Sequence, residues 1–317
     1  MNIAMELDIW KGDWGLASID LDCLRLVTYC KFAGAPVNLN IKNHTFQTPS
    51  GKLPVFRHYK RTLCSFEAVS SYLTAKNLSP DFGLTQKEKA DVVAFTMFLK
   101  EFLYPALLYV WWVDERNRIN LTRKWYAKTL PFPLSMFYPN QYHKAALESV
   151  EALYPNIESE QMLENEIYEK AMQCITAISH RLGSQEFMFG AHPSSIDATL
   201  YAYLAPLVKA PFPSAKLKTH VISHNNLLKY VTRISQRYFA AEMQAFEAQK
   251  LQETVNDSGA QTNNFPHKRR NQILAAGIAV MAMAGYAVNT GLLQIPSKWF
   301  SRYVEPPRTF RIPIRYQ

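Results

Sequence analysis

FMFGAHPSSIDATLYAYLAPL, Phe187–Leu207, is the stretch on which the fold turns. Ser194 stands three residues before Asp197, an S-x-x-D capping box: the hydroxyl takes the N3 amide while the N3 acid reaches back to the N-cap amide. Asp197 also falls in the first turn, where a negative charge meets the positive end of the helix dipole. Gly190 and Pro193 come just before the box, so a fresh helix starts here. The segments upstream read as helical too. Leu163, Ile167, Ala171, Cys174, Ile178 and Leu182 step mostly by four residues towards Gly183, which is placed to terminate that helix. Val92, Phe95, Leu99, Phe102, Leu103, Ala106 and Val110 mark another apolar face, interrupted by Pro105, which is expected to bend it.

The first eighty residues follow a different period. Met5, Leu7 and Ile9 alternate with Glu6 and Asp8, and Val37, Leu39 and Ile41 alternate with Asn38, Asn40 and Lys42; both are strand patterns. Between them SIDLDCLRLVTYCKFAGA reads as a helix with Ser18 as N-cap and Gly34 closing it. A strand–helix–strand unit of this length implies a right-handed crossover and a parallel strand pair. PSGKLPVFRHYK turns and enters a third strand after Leu53–Pro54. A short hairpin follows, and SFEAVSSYLTAK makes another helix.

Past about Lys250 the helical period fades, and QETVNDSGAQTNNFP reads as a polar linker. No residue from Asn271 to Ser297 is charged. The apolar run Ile273–Val288 gives roughly 24 Å of helix, and continuation to Ile295 gives roughly 34 Å, enough for a hydrocarbon core of about 30 Å. Ile273, Leu274, Gly277, Val280, Gly285, Val288, Leu292 and Ile295 therefore mark an expected membrane anchor. Lys268, Arg269 and Arg270 on one side, and Lys298 and Arg302 on the other, would sit among headgroups. A span so near the last residue would insert after synthesis and leave the body facing the cytosol. Its modest hydrophobicity and basic flanks favour the mitochondrial outer membrane.

Charge is partitioned in the same way. Of the net +9, the residues from His267 onward supply +7, leaving +2 for the first 266. The body is thus nearly neutral, and nucleic acid is not expected as a partner. A hydrophobic fraction of 48% with 13% aromatics fills a core and excludes wholesale disorder. The four cysteines form no C-x-x-C and suit a reducing compartment. Glu6 and Asp8 precede the first basic residue, Lys11, without an apolar core between, so no signal peptide or presequence is expected.

The β-α-β-β-β-α start, the Leu-Pro before its third strand and the G-x-x-P-[ST]-x-x-D element resemble the glutathione transferase fold. That resemblance implies a cis bond at Pro54 and makes Ser194 and Asp197 the fold's helix-capping pair. Within the superfamily, MELDIWKGDWGLASIDLDCL, PSGKLPVF, TRKWYAKTLPFPL, RLGSQEFMFG and RRNQIL are similar to the metaxins, in their tail-anchored branch. The implied organisation is a thioredoxin-like α/β domain over 1–80 and an all-α transferase-like domain over 81–250. A polar then basic linker (251–270), one transmembrane helix (271–295) and a basic tail (296–317) follow.

Active transferases begin the helix after their fourth strand with E-S-x-A-I, whose serine and helix N-terminus hold the γ-glutamyl carboxylate of glutathione. Here Ser65 stands at the acid's position and Phe66 at the serine's, and the ring offers no hydrogen bond. The loop WKGDWGLAS lacks an obvious group to activate a thiolate. No catalytic residue, cofactor or metal is expected, and the glutathione site is read as degenerate. His220 and His224 could face one metal ion, but no third ligand is near and they are read as a surface pair. Trp111–Trp112 and Trp125–Tyr126 are either core or, if exposed together, a candidate partner interface.

The expected function is that of a non-enzymatic subunit. The metaxin resemblance implies membership of the sorting and assembly machinery of the mitochondrial outer membrane, supporting protein import and β-barrel precursor insertion. Its partners there would be a second metaxin, the β-barrel insertase and the lipid bilayer. The alternatives are a membrane-tethered glutathione-dependent enzyme, and an adaptor to the cristae-organising complex or to motor proteins.

Overall fold

The computed structural model describes residues 4–45, 48–157 and 159–259, together with Gly277, Val280 and Met283. Met1–Gln252 forms one compact unit. Its sheet is built on β1 (Met5–Trp10), which runs parallel to β2 (Val37–Lys42), with Leu7 opposite Leu39 and Ile9 opposite Ile41. On its other side β1 pairs antiparallel with β3 (Val55–His58), which pairs in turn with β4 (Arg61–Leu63), giving the order β2-β1-β3-β4. A central strand is covered from both sides, and Leu7, Ile9 and Trp10 are buried. Among the described residues β2 is an edge strand with one neighbour, so Leu39 and Ile41 stay 37% and 63% exposed despite their apolar period. Asp8, buried on the alternate face of β1, is neutralised by Arg57 and Lys42 and accepts a bond from the Asn40 amide at 3.2 Å.

The crossover is α1 (Leu21–Phe32), and its cap corrects the sequence reading. Asp20, not Ser18, is the N-cap: its carboxylate accepts the Cys23 amide at 2.9 Å. Ser18 is fully buried just before it and accepts the Asp20 amide at 3.3 Å. The helix cannot start at Ser18 because the chain is still turning through Ile19, and Asp20 is the capping residue that stands where the turn ends. After β4 comes α2 (Phe66–Thr74).

The helical part opens with α3 (Gln86–Phe98), capped by a Thr85/Glu88 box. It continues through a wide π turn (Leu99–Leu103), α4 (Tyr104–Leu108) and a second π turn (Tyr109–Val113). Pro105 has no amide to donate and crowds the preceding turn. The helix adapts by widening, and the Tyr104 amide bonds five residues back to the Leu99 carbonyl. Among the described residues, Gln86–Val113 is the one helix long and apolar enough to cross a bilayer, but its Leu99, Leu103, Ala106 and Val110 are core residues.

Next are α5 (Glu115–Asn117), a third π turn (Arg118–Thr122), α6 (Arg123–Thr129), α7 (Leu134–Leu153) and α8 (Glu160–Leu182). At Gly183 the chain takes φ +53°, where a side chain would be strained, and α8 ends. α9 (Ser195–Lys209), α10 (Lys216–Ser223), α11 (Asn225–Tyr238) and α12 (Ala240–Gly259) complete the set. α9 is the axis: every residue from Ser195 to Leu207 is buried, and α1 packs along it. One hydrophobic cluster joins β1, α1 and α9 with the helices around them.

α12 corrects a second expectation. Residues 251–259, read as linker, continue the helix although Leu251 is 68% exposed. Lys31 fixes the start of α12 by bonds of 2.7 Å to Glu242 and to the Tyr238 carbonyl, so later turns propagate from a nucleus already formed. Most of the expected anchor (Ile273, Leu274, Gly285, Val288, Leu292 and Ile295) and its flanks Lys268, Arg269, Arg270, Lys298 and Arg302 lie outside the described residues. Gly277 and Val280, with Met283, are helical and exposed.

Candidate functional site

α1, α2 and α9 converge where a transferase-like body would receive glutathione. The Leu53–Pro54 bond that leads into β3 is cis. Ser65, extended at the N-cap of α2, accepts the Ala68 amide on its hydroxyl at 3.2 Å and so occupies one of the helix's free donors itself. Phe66 follows with its ring edge-on to Tyr29, centroids 5.3 Å apart. Over its open face lies Arg25 of α1, the guanidinium carbon 3.6 Å from the ring centroid. Arg25 donates from Nε to the buried Thr199 hydroxyl of α9 at 2.9 Å and faces Glu67 at 3.8 Å. Burial pushes its pKa down, while Tyr203, Glu67 and Asp22 push it up; an arginine so surrounded remains a cation. Arg25 thus ties the sheet part to the helical part. The ring face that would meet a carboxylate, and one of the helix's free donors, are already engaged by the chain's own groups.

The β1–α1 loop is equally closed. Gly12 is obligatory: a Cβ there would stand 2.0 Å from the Leu16 carbonyl oxygen. Asp13 accepts the Trp125 indole N–H at 2.7 Å and the Trp14 amide at 2.7 Å. Cys23 is fully buried, and burial, joined by the charge of Asp20, pushes its thiol well above the usual range, the reverse of what a thiolate nucleophile needs. Asp20 itself is pushed up to about 6, first by burial and then by the charge of Asp22.

The capping pair is saturated with bonds. Asp197, fully buried, accepts the Ser194 amide at 2.8 Å and the Ser194 hydroxyl at 2.6 Å on one oxygen. The other takes the Met188 amide at 2.9 Å and the Tyr230 hydroxyl at 3.1 Å. Burial raises its pKa and these bonds oppose the rise. Its work is to fasten the loop before α9 and α11 to the helix start.

One sequence expectation needs correction. The aromatic pairs do not form an exposed patch. Trp111, Trp125 and Tyr126 are 4%, 7% and 2% exposed. Trp112 is half-buried between the rings of Tyr126 and Tyr142, at 5.4 and 5.0 Å. They are core because the π turns and α6 roll successive aromatics inward against Trp10 and Phe212. His220 and His224 do stand as a pair, both half-buried, with ring centroids 4.8 Å apart. α10 ends at Ser223, and His224 lies past it with Nδ1 2.9 Å from the His220 carbonyl. His220 Nε2 is 3.1 Å from both the Met172 carbonyl and the Thr176 hydroxyl.

A recess of about 770 Å³ opens between α8 and α10, lined by Tyr168, Met172, Thr176, Lys216 and His220 among others. It includes none of Arg25, Phe66 or Thr199. Arg25 is the residue that sequence reading missed. A cation one turn into an amphipathic helix carries no mark that separates a buried clasp from a solvated side chain.

The model of an outer mitochondrial membrane transport complex protein matches residues 23–143, and that of the glutathione S-transferase C-terminal domain matches residues 171–234. Metaxin-1 of Sus scrofa is 39% identical over 298 residues, 93% of this chain and 93% of its own length. Metaxin-1 of Homo sapiens is 38% identical over the same span; there the match covers 93% of this chain but only 63% of the human protein. Metaxin-3 of Danio rerio is 37% identical over 74% of this chain and 76% of its own. Among solved structures, a β-etherase of Sphingobium superposes with a TM-score of 0.51 at 14% identity, covering 77% of this chain and 98% of that one. A glutathione S-transferase of Ceriporiopsis subvermispora in complex with glutathione gives 0.50 at 15%, covering 74% and 97%. At these identities the structures speak for the fold alone, a small mixed sheet with a helical part of transferase type.

Proposed function

This chain belongs to the metaxin family, and from that premise we propose that it serves mitochondrial protein import at the outer membrane as a non-enzymatic docking subunit. The match to the outer mitochondrial membrane transport complex model supports the import role and the location. On this reading the body faces the cytosol, held by a helix over 271–295 between basic flanks. It works beside a second metaxin and the β-barrel insertase in the sorting and assembly machinery. Tethering confines the body to a thin layer and raises its effective concentration near such partners.

What carries the non-enzymatic reading is Phe66 under Arg25. A γ-glutamyl carboxylate at this helix end would meet a ring instead of a hydroxyl, and the guanidinium above it is already bonded to Thr199 and close to Glu67. A charge-assisted bond missing from a bound carboxylate costs about 1.5–3 kcal/mol. The test is native purification of the full chain from mitochondria with mass spectrometry of the eluate. The insertase and another metaxin should co-elute; absence of both defeats the reading. Because the fold is one that enzymes use, the same preparation is passed over glutathione-agarose and offered a generic electrophile. Retention with turnover would make the enzyme reading the better one.

A further inference from the structure

Among the described residues, a large apolar patch is left uncovered at the entrance to α7. Phe132 is 70% exposed, Met136 57% and Phe137 59%, three large side chains within six residues on a turn and the helical turn after it. Single exposed apolar residues are ordinary; a contiguous group of this size marks a contact surface. The charge around it is equally uneven. From Arg116 to Leu147 the chain has six basic and no acidic residues, which leaves the rest of the +2 body at −4. Arg123 and Lys124 are exposed on α6, which ends three residues before Phe132.

We infer that this tip is a second membrane contact, in which Phe132, Met136 and Phe137 enter the headgroup boundary of an anionic bilayer while Arg123 and Lys124 meet its phosphates. Apolar residues protruding beside cations, with no acid in the same stretch of chain, form the pattern of an interfacial anchor; Asp13, which the structure brings to α6, is bonded to the Trp125 indole. A protein interface would share the phenylalanine, methionine and arginine but deplete lysine, and lysine supplies three of the six cations in this run. A second contact would lay one face of the body on the membrane. The inference rests on the tethered reading above, but its failure is separable from that of the reading.

The full chain, with Cys64→Ser, is reconstituted into phosphatidylcholine vesicles with or without phosphatidylserine. A polarity-sensitive dye is placed at Phe132→Cys, or at Lys76→Cys as an exposed control, and quencher-labelled lipids report contact. Position 132 should be quenched and blue-shifted in the anionic vesicles, less so in high salt, while position 76 stays aqueous. Arg123→Gln with Lys124→Gln should lower the docked-to-undocked ratio roughly thirtyfold. Position 132 reading as aqueous in anionic vesicles overturns the proposal. So does quenching that appears only in whole mitochondria together with a photocrosslink from 132 to a protein, which would make the tip a protein dock. Carbonate extraction of the same vesicles reports the anchor independently. A resistant chain with an aqueous tip removes only the second contact; an extractable chain with a quenched tip removes only the span.

Discussion

Asp197 gathers four hydrogen bonds on two buried oxygens, three of them from groups with no other acceptor at hand. Asp197→Ala should therefore cost at least about 3 kcal/mol, since each stranded buried donor costs about 1–3 kcal/mol. Chemical denaturation should show an earlier midpoint with an unchanged slope. Asp20 carries a different signature. With its pKa raised from 3.8 to about 6, the folded chain holds more protons than the unfolded one between those values. Stability then falls as pH rises through that window and stays reduced above it. Asp20→Asn, which keeps an N-cap acceptor, should remove the slope. The variant should melt higher than wild type at neutral pH and no higher below pH 3.8, as read by melting at several pH values. At this scale the sequence was partly legible. The Ser194/Asp197 box is written within four consecutive letters, but the cap of α1 lies two residues beyond Ser18. Arg25 could not be found, because its ring partner lies 41 residues away and its hydroxyl partner 174.

Among the elements, period and punctuation carried most of the information. The strand alternations of β1 and β2, the parallel pair they form, and the termination of α8 at a glycine follow from local patterns. What local patterns could not give was neighbourhood. Edge position left Leu39 and Ile41 in solvent, and the roll of three π turns took the aromatic pairs inside. The end of α12 was hidden for a related reason: a helix nucleated on Lys31 and Glu242 runs on through polar residues that show no apolar period. The β1–α1 loop offers a sharp test at this scale. In Gly12→Ala the new methyl group would collide with the Leu16 carbonyl and the Ala17 backbone, neither the end of a flexible side chain. The loop must move and take the Asp13–Trp125 bond with it, so a loss of several kcal/mol is expected. A melting temperature within a degree or two of wild type would show that the loop has room.

For the molecule as a whole, the fold class and the family were legible because they rest on spaced signatures spread along the chain. Partners were not, because a docking surface has no spacing to read. The lopsided charge does make one prediction about location. If the basic residues after the expected anchor direct the chain to mitochondria, then Lys298→Glu with Arg302→Glu should shift a fluorescently tagged chain towards other membranes. Unaltered mitochondrial localisation by microscopy would detach targeting from charge.

The inward roll of the aromatics has one more consequence, a spectroscopic one. Five of the six tryptophans belong to two groups of ring contacts: Trp10, Trp112 and Trp125 joined through Tyr126, Tyr138 and Tyr142, and Trp14 and Trp111 with Phe212. Intrinsic emission from the body is therefore a local gauge. It registers the seam between the first strand and the π-turn helices, and it should stay quiet when β4 at the far edge of the sheet loosens. An unfolding curve followed by tryptophan fluorescence and one followed by far-ultraviolet dichroism should separate in variants of β4 and coincide in variants of α6.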